Sequence, residues 1–129
     1  MAVRQLICAS EALVEGGPGV RFEVDEDGEP APALAVRYRG RVHAYVNRCA
    51  HLGLELDILP GDFFDLSGNH LICATHGATY DPATGRCTGG PCSGAGLEVL
   101  TVVEVDGRVE LVDRLLAGAP ERRVTGLPS

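Results

Sequence analysis

The sequence contains no lysine and no tryptophan, and its aromatic residues are only three phenylalanines and three tyrosines. All 11 basic residues are therefore arginines, and they face 18 acidic residues, so the formal net charge is −7. A chain this negative repels nucleic-acid phosphates and anionic lipid surfaces. The scarcity of aromatic side chains also argues against an aromatic-rich recognition surface. We therefore expect no nucleic-acid partner and no membrane partner.

Long hydrophobic segments are also missing. No apolar run approaches the roughly 18 residues that a membrane-spanning helix needs. Residues 1–13 lack the cationic patch and the apolar stretch of a signal peptide. We therefore expect a cytoplasmic protein. Disulfides are rare in that reducing compartment, so cysteines there are more often ligands or small buried residues.

Strand and turn signals dominate what is present. Runs of apolar and β-branched residues at 20–24 and 33–38 are bounded by glycine, proline and acidic residues, as strands usually are. Hairpin turns are predicted at Arg39-Gly40, at Asp106-Gly107 and at 67–69. The pattern predicts an all-β fold.

The domain organisation is equally simple. We expect one domain over residues 1–116, with short helical turns only at 10–15 and 113–116. Residues 117–129 are rich in glycine, proline and arginine, and we expect them to form a loosely packed C-terminal extension. Residues 23–29 contain five acidic residues and are expected at the solvated edge of a hairpin.

Two mixed pairs of cysteine and histidine stand out. Cys49-Ala-His51 and Cys73-Ala-Thr-His76 each offer one thiol and one imidazole within a few residues. Each pair follows a predicted strand, so both are expected at the tips of hairpin loops, where two loops can close around one metal centre. Thiolate and imidazole ligands suit iron–sulfur clusters, zinc or copper.

The spacing favours one of these metals. A zinc ion with two cysteine and two histidine ligands usually takes C-x₂₋₄-C followed by H-x₃₋₅-H. A Rieske [2Fe–2S] centre instead has two thiolates on one iron and two imidazoles on the other. Each mixed pair would then bridge both irons, which explains the mixing. A zinc-binding interaction module remains the alternative.

The residues around both pairs resemble the Rieske family over about residues 33–112. Residues 73–81 resemble its second cluster-binding loop, C-x-x-H-G-x-x-[FY]-[DN], and residues 84–91 resemble its turn and the proline loop that covers the cluster. The resemblance implies an antiparallel β-sandwich with a cluster-binding subdomain of two hairpin loops at about 47–93. The ligands it implies are Cys49, His51, Cys73 and His76, with Leu54, Thr75, Gly77, Ala78, Tyr80, Gly90 and Pro91 around them.

Departures from the family pattern carry information. High-potential members have an additional cysteine in each loop, at the positions of Leu54 and Thr75 here, and a serine at the position of Ala78. This sequence therefore has neither a disulfide between the two loops nor the serine hydroxyl. In this it is similar to low-potential Rieske ferredoxins. Ala50 stands where proline or threonine is common. Tyr80 matches the high-potential pattern, and its hydroxyl is expected to donate to the Cys49 sulfur.

The remaining cysteines and histidines are expected to be structural. Cys87 and Cys92 flank the proline loop, and because Rieske coordination is already complete we expect small buried or half-exposed residues. A fifth ligand, a disulfide and a redox sensor are the alternatives. Cys8 is expected in the core, His43 on a strand and His70 in a turn.

The resemblance implies a one-electron carrier that passes electrons between a reductase and a terminal acceptor such as an oxygenase. A Rieske-like accessory subunit, similar to the small subunit of assimilatory nitrite reductase, is the alternative. An oxygenase needs a further domain with a two-histidine, one-carboxylate iron site, and residues 77–129 contain no histidine. We expect redox protein partners that dock around the two loops, with Glu55, Asp57 and Asp81 as the first acidic residues to test.

Overall fold

A computed structural model describes residues 2–50, 54–75, 77–92, 94–116 and 121–124. In these residues the regular structure is almost entirely β. The strands are β1 (Ala2–Ala9), β2 (Val20–Glu26), β3 (Glu29–Tyr38), β4 (Arg41–Val46), β5 (Leu71–Ile72), β6 (Thr79–Tyr80), β7 (Cys87–Gly89), β8 (Val99–Leu100), β9 (Val102–Val105), β10 (Arg108–Leu111) and β11 (Glu121–Val124). Two single 3₁₀ turns cover Ser10–Ala12 and Gly90–Cys92.

The strands form three antiparallel sheets. The first has the order β11-β1-β10-β9, the second β2-β3-β4-β8 and the third β5-β6-β7. The all-β prediction is confirmed. Within the described residues, no helix has the length and apolar character needed to cross a membrane.

The second sheet is the middle layer of the molecule, because its central strands are buried on both faces. On β3, Ala33 and Ala35 belong to the core shared with the first sheet, while Leu34 and Val36 belong to the core shared with the third sheet and its loops. Successive side chains on a strand point to opposite faces, so a continuous apolar run suits a strand covered on both sides. Tyr45 on β4 joins the same core as Leu34, and that core surrounds the candidate site.

Local turn chemistry sets the hairpins. Arg39-Gly40 connects β3 to β4, and Asp106-Gly107 connects β9 to β10, with positive φ at both residues of each turn. Two-residue turns of this kind match the twist of antiparallel strands. Both predicted turns are confirmed. Asp27-Gly28 closes the β2–β3 hairpin, and its acidic strand ends lie at a sheet edge.

Three segments differ from the sequence-based expectation. The hairpin predicted around 67–69 is reduced to one bridge between Phe64 and Leu71 and the two-residue strand β5. Residues 113–116 are not helical. Residues 121–124 form β11 and pair with β1 from Ala2 to Gln5, so part of the expected loose extension is a sheet strand.

Candidate metal centre

The two cysteines of the predicted pairs lie in one buried core. Cys49 follows β4 and is 1% exposed, and Cys73 follows β5 and is 0% exposed. Both pack in the cluster that contains Tyr80 and Ala78. His51 and His76 lie outside the described residues. The structure therefore brings the two predicted thiol ligands into one buried region at the ends of two strands.

The first loop, residues 47–57, is held at its base by buried side chains. The Asn47 amide donates to Asp57 Oδ1 at 3.0 Å, and the Asn47 side-chain oxygen accepts from the Leu56 N–H at 2.8 Å. Asp57 Oδ2 accepts from the Gly61 N–H at 2.9 Å. Asn47 is fully buried, as is the Asp57 side chain. Buried polar groups this well satisfied hold the chain in one conformation.

One arginine connects this loop base to the second sheet. Arg21 on β2 places its Nε 3.3 Å from Asp57 Oδ2, and it also pairs with Glu55. Asp57 is thus part of the protein interior, and the prediction that it faces a docking partner is wrong. A buried carboxylate needs a charged or hydrogen-bonding partner, and Arg21 and Asn47 supply both. The sequence contains one weak signal for the contact between Asn47 and Asp57, which is an asparagine two residues before the first cysteine of the predicted pairs.

The second loop, residues 73–80, is held by backbone hydrogen bonds. The Cys73 N–H donates to the Ala78 carbonyl, and the Gly77 N–H donates to the Cys73 carbonyl, both at 2.8 Å. The Ala74 N–H donates to the Leu56 carbonyl at 3.0 Å, which connects the second loop to the first. The backbone therefore sets the position of one cysteine relative to the other.

Tyr80 joins the two loops through its hydroxyl. The hydroxyl oxygen lies 3.3 Å from Cys49 Sγ, and it accepts a hydrogen bond from the Ala50 N–H at 3.0 Å. Burial, followed by the nearby Cys49 sulfur, raises the pKa of Tyr80 above its ordinary range. The hydroxyl stays protonated near neutral pH, and its proton is left to donate to the sulfur. The predicted contact between Tyr80 and Cys49 is confirmed.

The third loop, residues 87–92, covers the second. Gly90 has a φ of +80° and approaches so closely that a Cβ built on it would lie 2.9 Å from both Ala78 Cα and the Gly77 carbonyl oxygen. Glycine is the one residue that meets both the conformational and the steric demand. Pro91 is exposed beside it.

Cys87 and Cys92 form a disulfide across this third loop. The prediction that they are separate small residues is wrong. The signal in the sequence was the pair itself, two cysteines on either side of a Gly-Gly-Pro turn. The rarity of disulfides in a reducing compartment points the other way.

Four other predicted residues are exposed or half-buried. The exposed Leu54 accepts a hydrogen bond on its carbonyl from the Cys49 N–H at 2.6 Å, and Thr75 is exposed. Glu55 is exposed, and the half-buried Asp81 accepts from the Ala83 N–H.

Cys8, His43 and His70, which are expected to be structural, lie on strands or beside a turn. Cys8 on β1 is half-buried against the core between the first two sheets. His43 is half-buried on β4, and burial lowers the pKa of its imidazole. His70 lies 3.3 Å from Asp65, beside the 67–69 turn.

The donor set described here fits an iron–sulfur cluster. Two buried cysteines, a hydroxyl donor next to one sulfur and two loops joined by backbone bonds provide thiolate ligands and control of sulfur charge. Over residues 3–110 the sequence matches the Rieske [2Fe-2S] domain. The chain belongs to the Rieske family. Membership confirms the predicted family and the predicted Rieske-type [2Fe–2S] cluster.

Solved structures show the same Rieske fold. The ferredoxin of carbazole 1,9a-dioxygenase from Nocardioides aromaticivorans IC177 is 24% identical with a TM-score of 0.65, covering 84% of this chain and 96% of that one. The Sphingomonas yanoikuyae B1 ferredoxin is 23% identical with a TM-score of 0.65, covering 85% and 98%. The terminal oxygenase of carbazole 1,9a-dioxygenase from Novosphingobium sp. KA1 is 25% identical with a TM-score of 0.68, covering 92% of this chain but only 31% of that one.

A curated relative is similar over a shorter stretch. Oxidoreductase NdmD from Pseudomonas putida is 45% identical over 49 residues, which is 38% of this chain and 8% of that protein. The Rieske domain thus spans nearly all of the two ferredoxins but a small part of the larger proteins.

Proposed function

We propose that this Rieske domain is a one-electron carrier between a reductase and a terminal acceptor such as an oxygenase. The observation that carries the proposal is the burial of Cys49 and Cys73 in one core, with the Tyr80 hydroxyl beside the Cys49 sulfur, in a chain that spans nearly the whole length of two Rieske ferredoxins. A bound cluster supplies reversible one-electron chemistry, and the protein supplies its position, exposure and potential.

Within this proposal, Cys49, Cys73, His51 and His76 would hold the cluster, the cysteines through thiolates and the histidines through imidazoles. Tyr80 directs its proton to the Cys49 sulfur, and Gly77, Ala78 and Gly90 form the backbone wall beside Cys73. Such a donor stabilises the electron-rich reduced state. The functional domain covers residues 1–116, and residues 121–124 of the C-terminal extension add an edge strand to the first sheet.

The partner surface is expected around the exposed part of the first loop. Glu55 and Asp81 are the acidic candidates that the structure leaves accessible, and Leu54, Ile58 and Leu59 expose apolar surface next to Glu55. A net charge of −7 favours a partner with a basic patch, which raises the association rate more than the affinity. We place the protein in the cytoplasm, where reductases and oxygenases of soluble electron chains meet.

The first test is spectroscopic. Reconstitution with iron and sulfide under anaerobic conditions should give a coloured protein, and its reduced form should show the EPR signal of a cluster with mixed thiolate and imidazole ligands. Zinc would leave the protein colourless. The carrier should then take one electron per cluster from a reductase encoded nearby and deliver it to a purified oxygenase. Purification at fixed stoichiometry within a larger oxidoreductase would favour the accessory subunit instead.

The dependence of the electron-transfer rate on salt tests the proposed electrostatic docking of the partner. The electron-transfer rate should fall as ionic strength rises from about 10 to about 150 mM, because the Debye length shrinks from roughly 30 to 8 Å. Glu55→Gln should reduce the rate at low salt. Asp106→Asn, a matched loss of charge in the β9–β10 turn of the first sheet, should leave it unchanged. A rate that is insensitive to salt would contradict electrostatic docking and favour the apolar surface around Leu54.

A further inference from the structure

The disulfide of the third loop lies against the candidate metal centre. Cys92 is 1% exposed and belongs to the same buried cluster as Cys49 and Cys73, while Cys87 is only partly buried and packs against it. The bond closes a small ring around the exposed Gly90 and Pro91. Cys87 is thus the more accessible of the two residues, and Cys92 lies inside the core.

A short path connects this ring to Cys73. The Gly90 backbone lies close to Gly77 and Ala78, since a Cβ built on Gly90 would lie 2.9 Å from the Ala78 Cα and from the Gly77 carbonyl oxygen. Those same two residues form the two hydrogen bonds to the Cys73 backbone. On the other side of the ring, Cys87 pairs with Tyr80 in the third sheet. A change in the position of the third loop would therefore affect both the predicted ligand Cys73 and Tyr80, whose hydroxyl donates to the Cys49 sulfur.

The difference in burial between Cys87 and Cys92 favours one way of opening the bond. A thiolate of a dithiol reductant attacks Cys87 Sγ, forms a mixed disulfide and releases Cys92 as the leaving thiolate. The second thiol of the reductant then closes its own disulfide and releases Cys87. In total two electrons and two protons convert the protein disulfide into two thiols, and the dithiol is oxidised to a disulfide. In a cytoplasmic protein, disulfides are usually transient or redox-sensing.

We propose that Cys87–Cys92 is an exchange site for dithiol reductants and that its oxidised form is a latch that retains the cluster. This inference rests on the proposed function, because it assigns the latch to the cluster held by Cys49 and Cys73. With the bond intact, the third loop keeps Gly77, Ala78 and Cys73 in place. With the bond reduced, the loop gains conformational freedom, and the iron becomes easier to lose.

The experiment uses the reconstituted protein, with its Rieske EPR signal recorded first as a separate test of the proposed function. Thiols are alkylated before and after dithiothreitol and mapped by mass spectrometry. Iron release into a chromophoric chelator is then timed with and without the dithiol. The variants are the double substitution Cys87→Ser with Cys92→Ser, and Cys8→Ser as the matched control on β1.

The latch predicts a defined set of results. Cys87 and Cys92 should resist alkylation until the dithiol is added, and the dithiol should speed iron release about tenfold in the wild type and in Cys8→Ser. The double variant should release iron at the fast rate under both conditions. If the double variant does not load, the wild-type response to the dithiol decides alone. Alkylation of both cysteines before reduction would overturn the exchange site, and release that ignores the dithiol despite a normal EPR signal would overturn only the latch.

Discussion

The first loop and the two loops facing it are positioned by different kinds of interaction. The first loop depends on side chains, since Asn47 and Asp57 close its base with buried hydrogen bonds. The second and third loops depend on backbone bonds around Cys73, on the close approach of Gly90 and on the Cys87–Cys92 disulfide. The two halves of one metal centre are thus held in place by different means.

This difference determines how each half responds to substitution. In the first loop, loss of one polar side chain leaves its partners buried and unsatisfied, at about 1–3 kcal/mol for each group. In the second and third loops the backbone bonds do not depend on polar side chains, and the sensitive features are the close approach of Gly90 and the Cys87–Cys92 disulfide. Four predictions test this contrast, from the largest expected effect to the smallest.

Cys49 and Cys73 should be equally necessary for cluster binding, although their loops are held by different kinds of interaction. Cys49→Ser and Cys73→Ser should each abolish a stable cluster, because two thiolates are needed on one iron. Iron and sulfide content after reconstitution measures the effect. Cys8→Ser, a half-buried cysteine on β1, should load normally. Near-stoichiometric iron in either loop variant would refute its assignment as a ligand.

Asp57→Ala should destabilise the protein strongly while leaving all four predicted ligands intact. It removes the acceptor for Asn47 and for the Gly61 N–H, so the free energy of unfolding should fall by about 2–4 kcal/mol. Urea titration of the loaded protein measures this. Asp81→Ala, which removes one turn hydrogen bond at a half-buried site, should cost about 0.5–1.5 kcal/mol. Equal losses from both variants would remove the contrast between the loops.

Gly90→Ala tests the contact between the third and second loops. The substitution combines a positive φ with a Cβ only 2.9 Å from the Ala78 Cα, so we expect a loss of about 2–4 kcal/mol and faster iron release. Gly40→Ala is the matched control, since it also has a positive φ but meets open space. It should cost about 1–2 kcal/mol, with no change in iron release. If the two variants behave alike, the contact has no role in holding the cluster.

Tyr80→Phe should change the potential more than the stability. Loss of the donor to the Cys49 sulfur removes about 0.5–1.5 kcal/mol of stabilisation from the reduced state, which corresponds to a potential lower by about 20–65 mV. Voltammetry measures it. Tyr45→Phe is the control, because that hydroxyl donates to the Pro82 carbonyl instead of a sulfur. A higher potential in Tyr80→Phe, or an equal shift in both variants, would contradict the assigned role.

Much of the β-sheet framework could be predicted because hairpin turns and strands leave signals within short stretches of the sequence. Arg39-Gly40 and Asp106-Gly107 form hairpin turns wherever two strands flank them, since the turn conformation depends on those residues alone. The apolar run at 33–36 likewise indicates a strand buried on both faces. The mixed pairs that begin at Cys49 and Cys73 indicate iron–sulfur chemistry from their spacing, because two ligands on one short loop need no distant partner to lie close together.

Tertiary structure alone decided which distant groups meet. Asp57 lies inside only because Asn47 and Arg21 converge on it, and carboxylates are otherwise mostly exposed. Residues 121–124 become a strand only because the unpaired edge of β1, more than a hundred residues earlier in the chain, accepts them. Each of these contacts depends on the path of the whole chain, which no local pattern of residues records.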